Sequence, residues 1–168
     1  MNIEVICTDI FKFAQNIYSE LGGGFNEAVT QNALAIELRE NKINYLKEVN
    51  IEIFYKGHSI GTDRPDFVLF SSKRRSWNLN EPIVLETKIA PSITNDHRQQ
   101  LKSYFKSFPH NKNTTLHPIK KGILLKFLKS EHFDNPEKTK PAIELEFWVY
   151  NRKSGMMSKK FVLPGIEK

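Results

Sequence analysis

Apolar residues keep a helical spacing as far as about residue 41 and then switch to alternation, and that change of period decides the class of fold. Behind Thr8, a good capping residue, Ile10, Phe13, Ala14, Ile17 and Leu21 recur at helical intervals until Gly22, Gly23 and Gly24 end the segment. The stretch "FNEAVTQNALAIELREN" predicts a second helix ending near Asn41. Phe25, Val29, Ala33, Leu34, Ile36 and Leu38 give it a broad apolar face suited to packing on a sheet. In "VNIEIFY" Val49, Ile51, Ile53 and Tyr55 alternate with polar partners before "KGHS" turns the chain, so a half-buried strand enters a hairpin. "RPDFVLFS" and "PIVLETK" read as the following strands of a meander. "TNDHRQQLKSYFKSF" reads as a helix through Leu101, Tyr104, Phe105 and Phe108, stopped by Pro109. "KKGILLKFL" and "AIELEFWVY" are expected to be strands, and "KKFVLP" a short edge strand. The order of elements predicts an α/β fold, a mixed β-sheet flanked by helices.

No repeat, low-complexity tract or linker interrupts the 168 residues, which predicts a single domain over 1–168. One cysteine, Cys7, excludes an internal disulfide framework and a cysteine zinc site. That usage, with no apolar run near the ~20 residues of a membrane span and an acidic Asp9 in the N-terminal stretch, predicts an intracellular protein. Such a protein is cytoplasmic or nucleoid or nuclear, neither secreted nor in a membrane. A net charge of +6 and a pI near 9.3 favour a polyanionic partner, nucleic acid above all. Lys73, Arg74 and Arg75, consecutive in the polar loop "SKRRSWNLNE", are the candidate phosphate contacts.

The chemistry concentrates in "EPIVLETKIAP". Ile83, Val84 and Leu85 predict a central strand, and on a strand Glu86 and Lys88 project together while Thr87 points the other way. An ordinary ion pair at an exposed strand end is the competing reading, and the apolar run opposes it. Asp66, behind Pro65, opens the preceding strand 20 positions earlier, so neighbouring strands would bring the two carboxylates together. Two acids and a main-chain carbonyl are a normal protein contribution to a magnesium site, waters filling the rest.

Pro65-Asp66 followed by Glu86-Thr87-Lys88 resembles the motif of the PD-(D/E)XK nuclease superfamily. "LGGGFNEAVTQNALAIELRENKI" is similar to the signature helix of its GxxExxY proteins, with Gly24 and Glu27 at the named positions and Thr30 in place of the last tyrosine. "HRQQLKSYF" is similar to the stretch that follows the active strand, placing Gln100 and Tyr104 at a recurrent glutamine and tyrosine. The resemblance implies a restriction-endonuclease-like core in which Asp66, Glu86 and the Thr87 carbonyl hold Mg2+ or Mn2+. It also implies that Lys88 assists the water, Glu27 approaches from its helix and Gln100 lies alongside. By residue type alone, Glu37 could substitute for Glu27, and Gln99 for Gln100. The expected activity is metal-dependent hydrolysis of nucleic-acid phosphodiesters, DNA before RNA, with room for a homo-oligomer. The rival is a non-cleaving nucleic-acid-binding or assembly protein on the same fold.

Overall fold

A helix begins where a side chain can satisfy its orphan N–H groups, and here Asn2 does so before Thr8 can. Its Oδ1 accepts from Val5 N at 3.3 Å, so α1 runs Ile3–Leu21 and Thr8 is an exposed residue inside it. The computed structural model describes residues 1–70, 75–129 and 140–165. Asn26 caps α2 (Glu27–Glu40), whose buried face is Thr30, Gln31, Leu34, Ala35 and Leu38. Phe25, Val29 and Ile36, expected on that face, are exposed. Phe25 precedes the cap and is outside the helix, Val29 and Ile36 lie around it from Leu34 and Leu38 at 100° per residue, and the polar Thr30 and Gln31 take the inward positions instead.

The strands follow as β1 (Tyr45–Lys47), β2 (Ile51–Tyr55), β3 (His58–Asp63), β4 (Phe67–Leu69) and β5 (Ile83–Ala90). After α3 (Asn95–Ser107) come β6 (Lys121–Leu128), β7 (Ile143–Asn151) and β8 (Met156–Leu163). Six form one sheet in the order β1-β4-β5-β6-β7-β8, antiparallel except for the parallel pair β5–β6. β2 and β3 pair with each other in a separate ribbon, so "VNIEIFY" is not the sheet neighbour of "RPDFVLFS" that the meander reading made it. That place belongs to β1, three residues long and too short to show a period. β8 has eight residues and pairs with β7 from Leu145 to Asn151.

Helices cover both faces. Ile10, Ile17, Leu34 and Leu38 of α1 and α2 pack with Leu85, Leu125 and Phe147 on one side. Leu101, Tyr104 and Phe105 of α3 pack with Val84 and Leu124 on the other. Full burial of each such side chain contributes about 1.5–3 kcal/mol. Close seating of α3 depends on Gly122, where a Cβ would lie 2.6 Å from Val84 Cγ1 and 2.9 Å from Leu101 Cδ1. β5 is thus an inner strand, and its C-terminal half carries polar side chains into a closed interior.

Candidate active site

The antiparallel ladder ends with Phe67 opposite Leu85, and just beyond it Asp66, the residue before β4, meets Glu86. Such opposed residues have Cβ atoms about 4.5–5.5 Å apart. The junction is closed by hydrogen bonds: Asp66 N donates to Glu86 Oε2 at 3.2 Å, and Thr87 donates to Asp66 Oδ2 from both N and Oγ1 at 2.7 Å. Lys88 Nζ donates to Glu86 Oε1 at 2.9 Å, as two side chains on one face of a strand can. With Glu86 2% exposed and Lys88 17%, this pair is not the solvated one of an exposed strand end.

Helices deliver the remaining groups. Tyr104 of α3 donates its hydroxyl to Glu86 Oε1 at 3.3 Å, and Gln100 Nε2 donates to Tyr104 Oη at 2.9 Å, so Gln100 reaches Glu86 through the phenol. Gln99 is exposed on another side of α3. Glu27, in the first turn of α2, accepts from Ile89 N at 3.3 Å, which sets its carboxyl beside the residue next to Lys88. Glu37 lies ten residues on, about 15 Å along the helix, and is not part of this group. One contributor escaped the reading of the sequence: Gln31 Nε2 donates to Thr87 Oγ1 at 3.2 Å, bracing the hydroxyl that holds Asp66. Its position four residues after Glu27 on one helical face was the available signal. Lys73 and Arg74 lie outside the described residues, as does the side chain of Arg75.

Burial, and then the neighbouring Asp66, push the Glu86 carboxyl up to about 7, against the opposing pull of Lys88. Burial alone would lower Lys88, but Glu86, Glu27 and Asp66 outweigh it and hold the ammonium above its ordinary value. Burial and Glu86 raise the Tyr104 phenol, which stays protonated as a donor. The site therefore concentrates carboxylate oxygens in a closed space, at a cost in solvation that a cation would relieve. Among the described residues no three His, Cys, Asp or Glu side chains cluster as metal ligands. The protein donors available are Asp66, Glu86 and the Thr87 carbonyl, all hard oxygens, a set that fits magnesium or manganese with water completing the shell.

No curated protein and no solved structure matches this chain. The family model of the PD-(D/E)XK nuclease superfamily matches residues 4–136, from α1 through β6, a span that holds Glu27, Asp66, Glu86, Lys88 and Gln100. β7 and β8 lie beyond it. Superfamily members typically use divalent metal ions on nucleic-acid substrates, and the mixed sheet flanked by helices is the restriction-endonuclease-like core. With Asp66 and Glu86-Thr87-Lys88 opposed on adjoining strands inside the matched span, the chain belongs to the PD-(D/E)XK nuclease superfamily.

Proposed function

We propose that this protein hydrolyses phosphodiester bonds of nucleic acid, DNA in preference to RNA, with Mg2+ or Mn2+. The observation that carries the reading is the opposition of Asp66 and Glu86 across β4 and β5 with Lys88 bonded to Glu86. A divalent cation held by Asp66, Glu86 and the Thr87 carbonyl supplies charge neutralisation at the phosphate and lowers the pKa of a water. The chain's own groups do the positioning. Thr87 and Gln31 fix the Asp66 carboxylate, while Tyr104 and Lys88 fix that of Glu86, so both acceptors are oriented before substrate arrives. Lys88 presents an ammonium to a phosphate oxygen or the attacking water, where it stabilises the charge that develops. Glu27 adds an acceptor at the same strand end.

Gly24 and Glu27 support membership of the GxxExxY group. Thr30, buried on α2, donates to the Asn26 carbonyl at 3.3 Å and brings no phenol to the site, so the group's tyrosine has no counterpart at that position. This departure favours the second reading, a binding protein that has kept the fold. The net charge of +6 suits either, as does one intracellular domain over residues 1–168.

Labelled single- and double-stranded DNA and RNA, incubated with magnesium, manganese or EDTA, separate the two. Metal-dependent products that disappear in Lys88→Ala support the nuclease. Binding without products under every condition overturns it in favour of the second reading.

A further inference from the structure

α3 carries a second pattern, on the side turned away from Glu86. Arg98, Lys102 and Lys106 recur every fourth residue, and His110 continues the interval past the helix end. At 1.5 Å per residue Arg98, Lys102 and Lys106 stand about 6 Å apart along the helix, close to the spacing of successive phosphates on a single polynucleotide strand.

Beneath this ladder two cavities follow each other between α3 and the β7–β8 pair. The first, of about 340 Å³, is lined by Arg98, Lys102, Trp148 and Met156 among others. The second, of about 310 Å³, is lined by Lys106, His110, Tyr150 and Arg152 among others. Among the described residues neither has an acidic lining residue. The first is also held in shape. Glu146, 5% exposed, accepts from Arg98 Nε at 2.9 Å and Nη2 at 2.7 Å, from Trp148 Nε1 at 2.8 Å and from Lys159 Nζ at 3.3 Å. One buried carboxylate thereby fixes an indole with the Arg98 guanidinium 6.0 Å and the Lys159 ammonium 5.8 Å from its ring centre. Pinning α3 to β7 would need Arg98 alone. The indole packs in part on the core beneath α3 while lining the cavity, and the second cation and a Met156 that is 67% exposed are surplus to that task.

We propose that this trough is a track for a single-stranded stretch of polynucleotide, with phosphates on the α3 ladder and a base against Trp148 and Met156. Cations with an interleaved aromatic are how proteins hold single strands, and an indole can stack only on a base released from its pair. The proposal rests on the nuclease reading for the class of partner. It adds a path, from Lys88 towards the first cavity, whose lining includes Asn95, joined by residues 91–94 to the end of β5.

The test measures binding of a short oligothymidine and of a duplex of equal length in EDTA, across a salt series, by intrinsic fluorescence. Trp77 is fully buried and Trp148 lines the trough, so quenching reports the trough. The single strand should quench and bind more tightly than the duplex. Lys102→Ala with Lys106→Ala should reduce the log–log salt slope by about 1.4, at about 0.7 per single-strand phosphate. Quenching should vanish in Trp148→Phe. An oligonucleotide that binds with the slope unchanged in the double variant and the indole unquenched overturns the trough and leaves the nuclease reading standing. A duplex bound more tightly than the single strand does the same. Failure of both oligonucleotides to bind overturns the trough, and the cleavage assay with magnesium or manganese decides the nuclease reading separately.

Discussion

Replacing Glu86 with Gln should stabilise the metal-free protein above neutral pH. The Glu86 carboxyl is raised from its ordinary 4.5 to about 7, with the attraction of Lys88 already included. Between those values the folded state holds a proton that the unfolded state has released, so stability falls as pH rises. The cost is absent below pH 4.5 and complete above about pH 7. At about 1.4 kcal/mol per pH unit it reaches about 3 kcal/mol, or roughly 6–12 °C in a chain of this size. Gln keeps the shape and cannot ionise. Asp66, Lys88, Tyr104 and Glu27 also face the position, and because Glu86 itself raises Lys88 and Tyr104, the difference between the two proteins reads the coupled cluster as a whole. Calorimetric and urea melts in EDTA from pH 4.5 to 8.5 should show the two proteins converging at the acid end, with the variant ahead at the alkaline end. A variant less stable at pH 8, or a gap that does not change with pH, would refute the reasoning and make Glu86 and Lys88 a structural pair.

Manganese or magnesium should raise the wild-type melting temperature, by about 2.7 kcal/mol in stability at a hundredfold excess over Kd, and barely move Glu86→Gln or Asp66→Asn. An equal response in all three proteins would put the ion elsewhere. Gly122→Ala should cost about 1–3 kcal/mol in urea melts, because its Cβ would press on Val84 and Leu101. A neutral result would mean that α3 shifts without loss. Burial pushes the Cys7 thiol up to about 12, so Ellman's reagent at pH 8 should label it only as fast as the protein opens, and at once in denaturant. Immediate labelling of the native protein would contradict that burial.

Where side-chain pattern and packing agree, the sequence was a good guide. Ile83, Val84 and Leu85 announced an inner strand, alternation put Glu86 and Lys88 on one face, and the resemblance gathered Asp66, Glu27 and Gln100 around them. Errors arose where short range and tertiary preference part. Thr8 and Asn2 are equivalent caps by type, and only Ile6 and Cys7 packing into the core extends α1 to the earlier one. The apolar residues of α2 suggested a face that the sheet does not use, because Gln31 is held inward by Thr87 and Thr30 satisfies its hydroxyl on the Asn26 carbonyl of its own helix. The ribbon β2–β3 alternates like a sheet strand, since alternation records one buried side and not the identity of the partner. Glu146 was read only as part of a strand, and its role as an acceptor for Arg98, Trp148 and Lys159 depends on β7 lying under α3.

Because the ladder of Phe67 with Leu85 sets Asp66 against Glu86, the distance between the carboxylates is independent of how much chain joins the two strands. Their 20-residue separation in sequence is incidental. Doubling a flexible connection would cost only about 0.6 kcal/mol in closure entropy, and what limits change in this one is the packing of Trp77 and Leu79 in the core rather than the spacing of the carboxylates. The pairing itself admits no such drift. A slip of one residue would bring Thr87 to the position of Glu86 and turn the carboxylate to the other face, an all-or-none loss that no gradual change in the connection could produce.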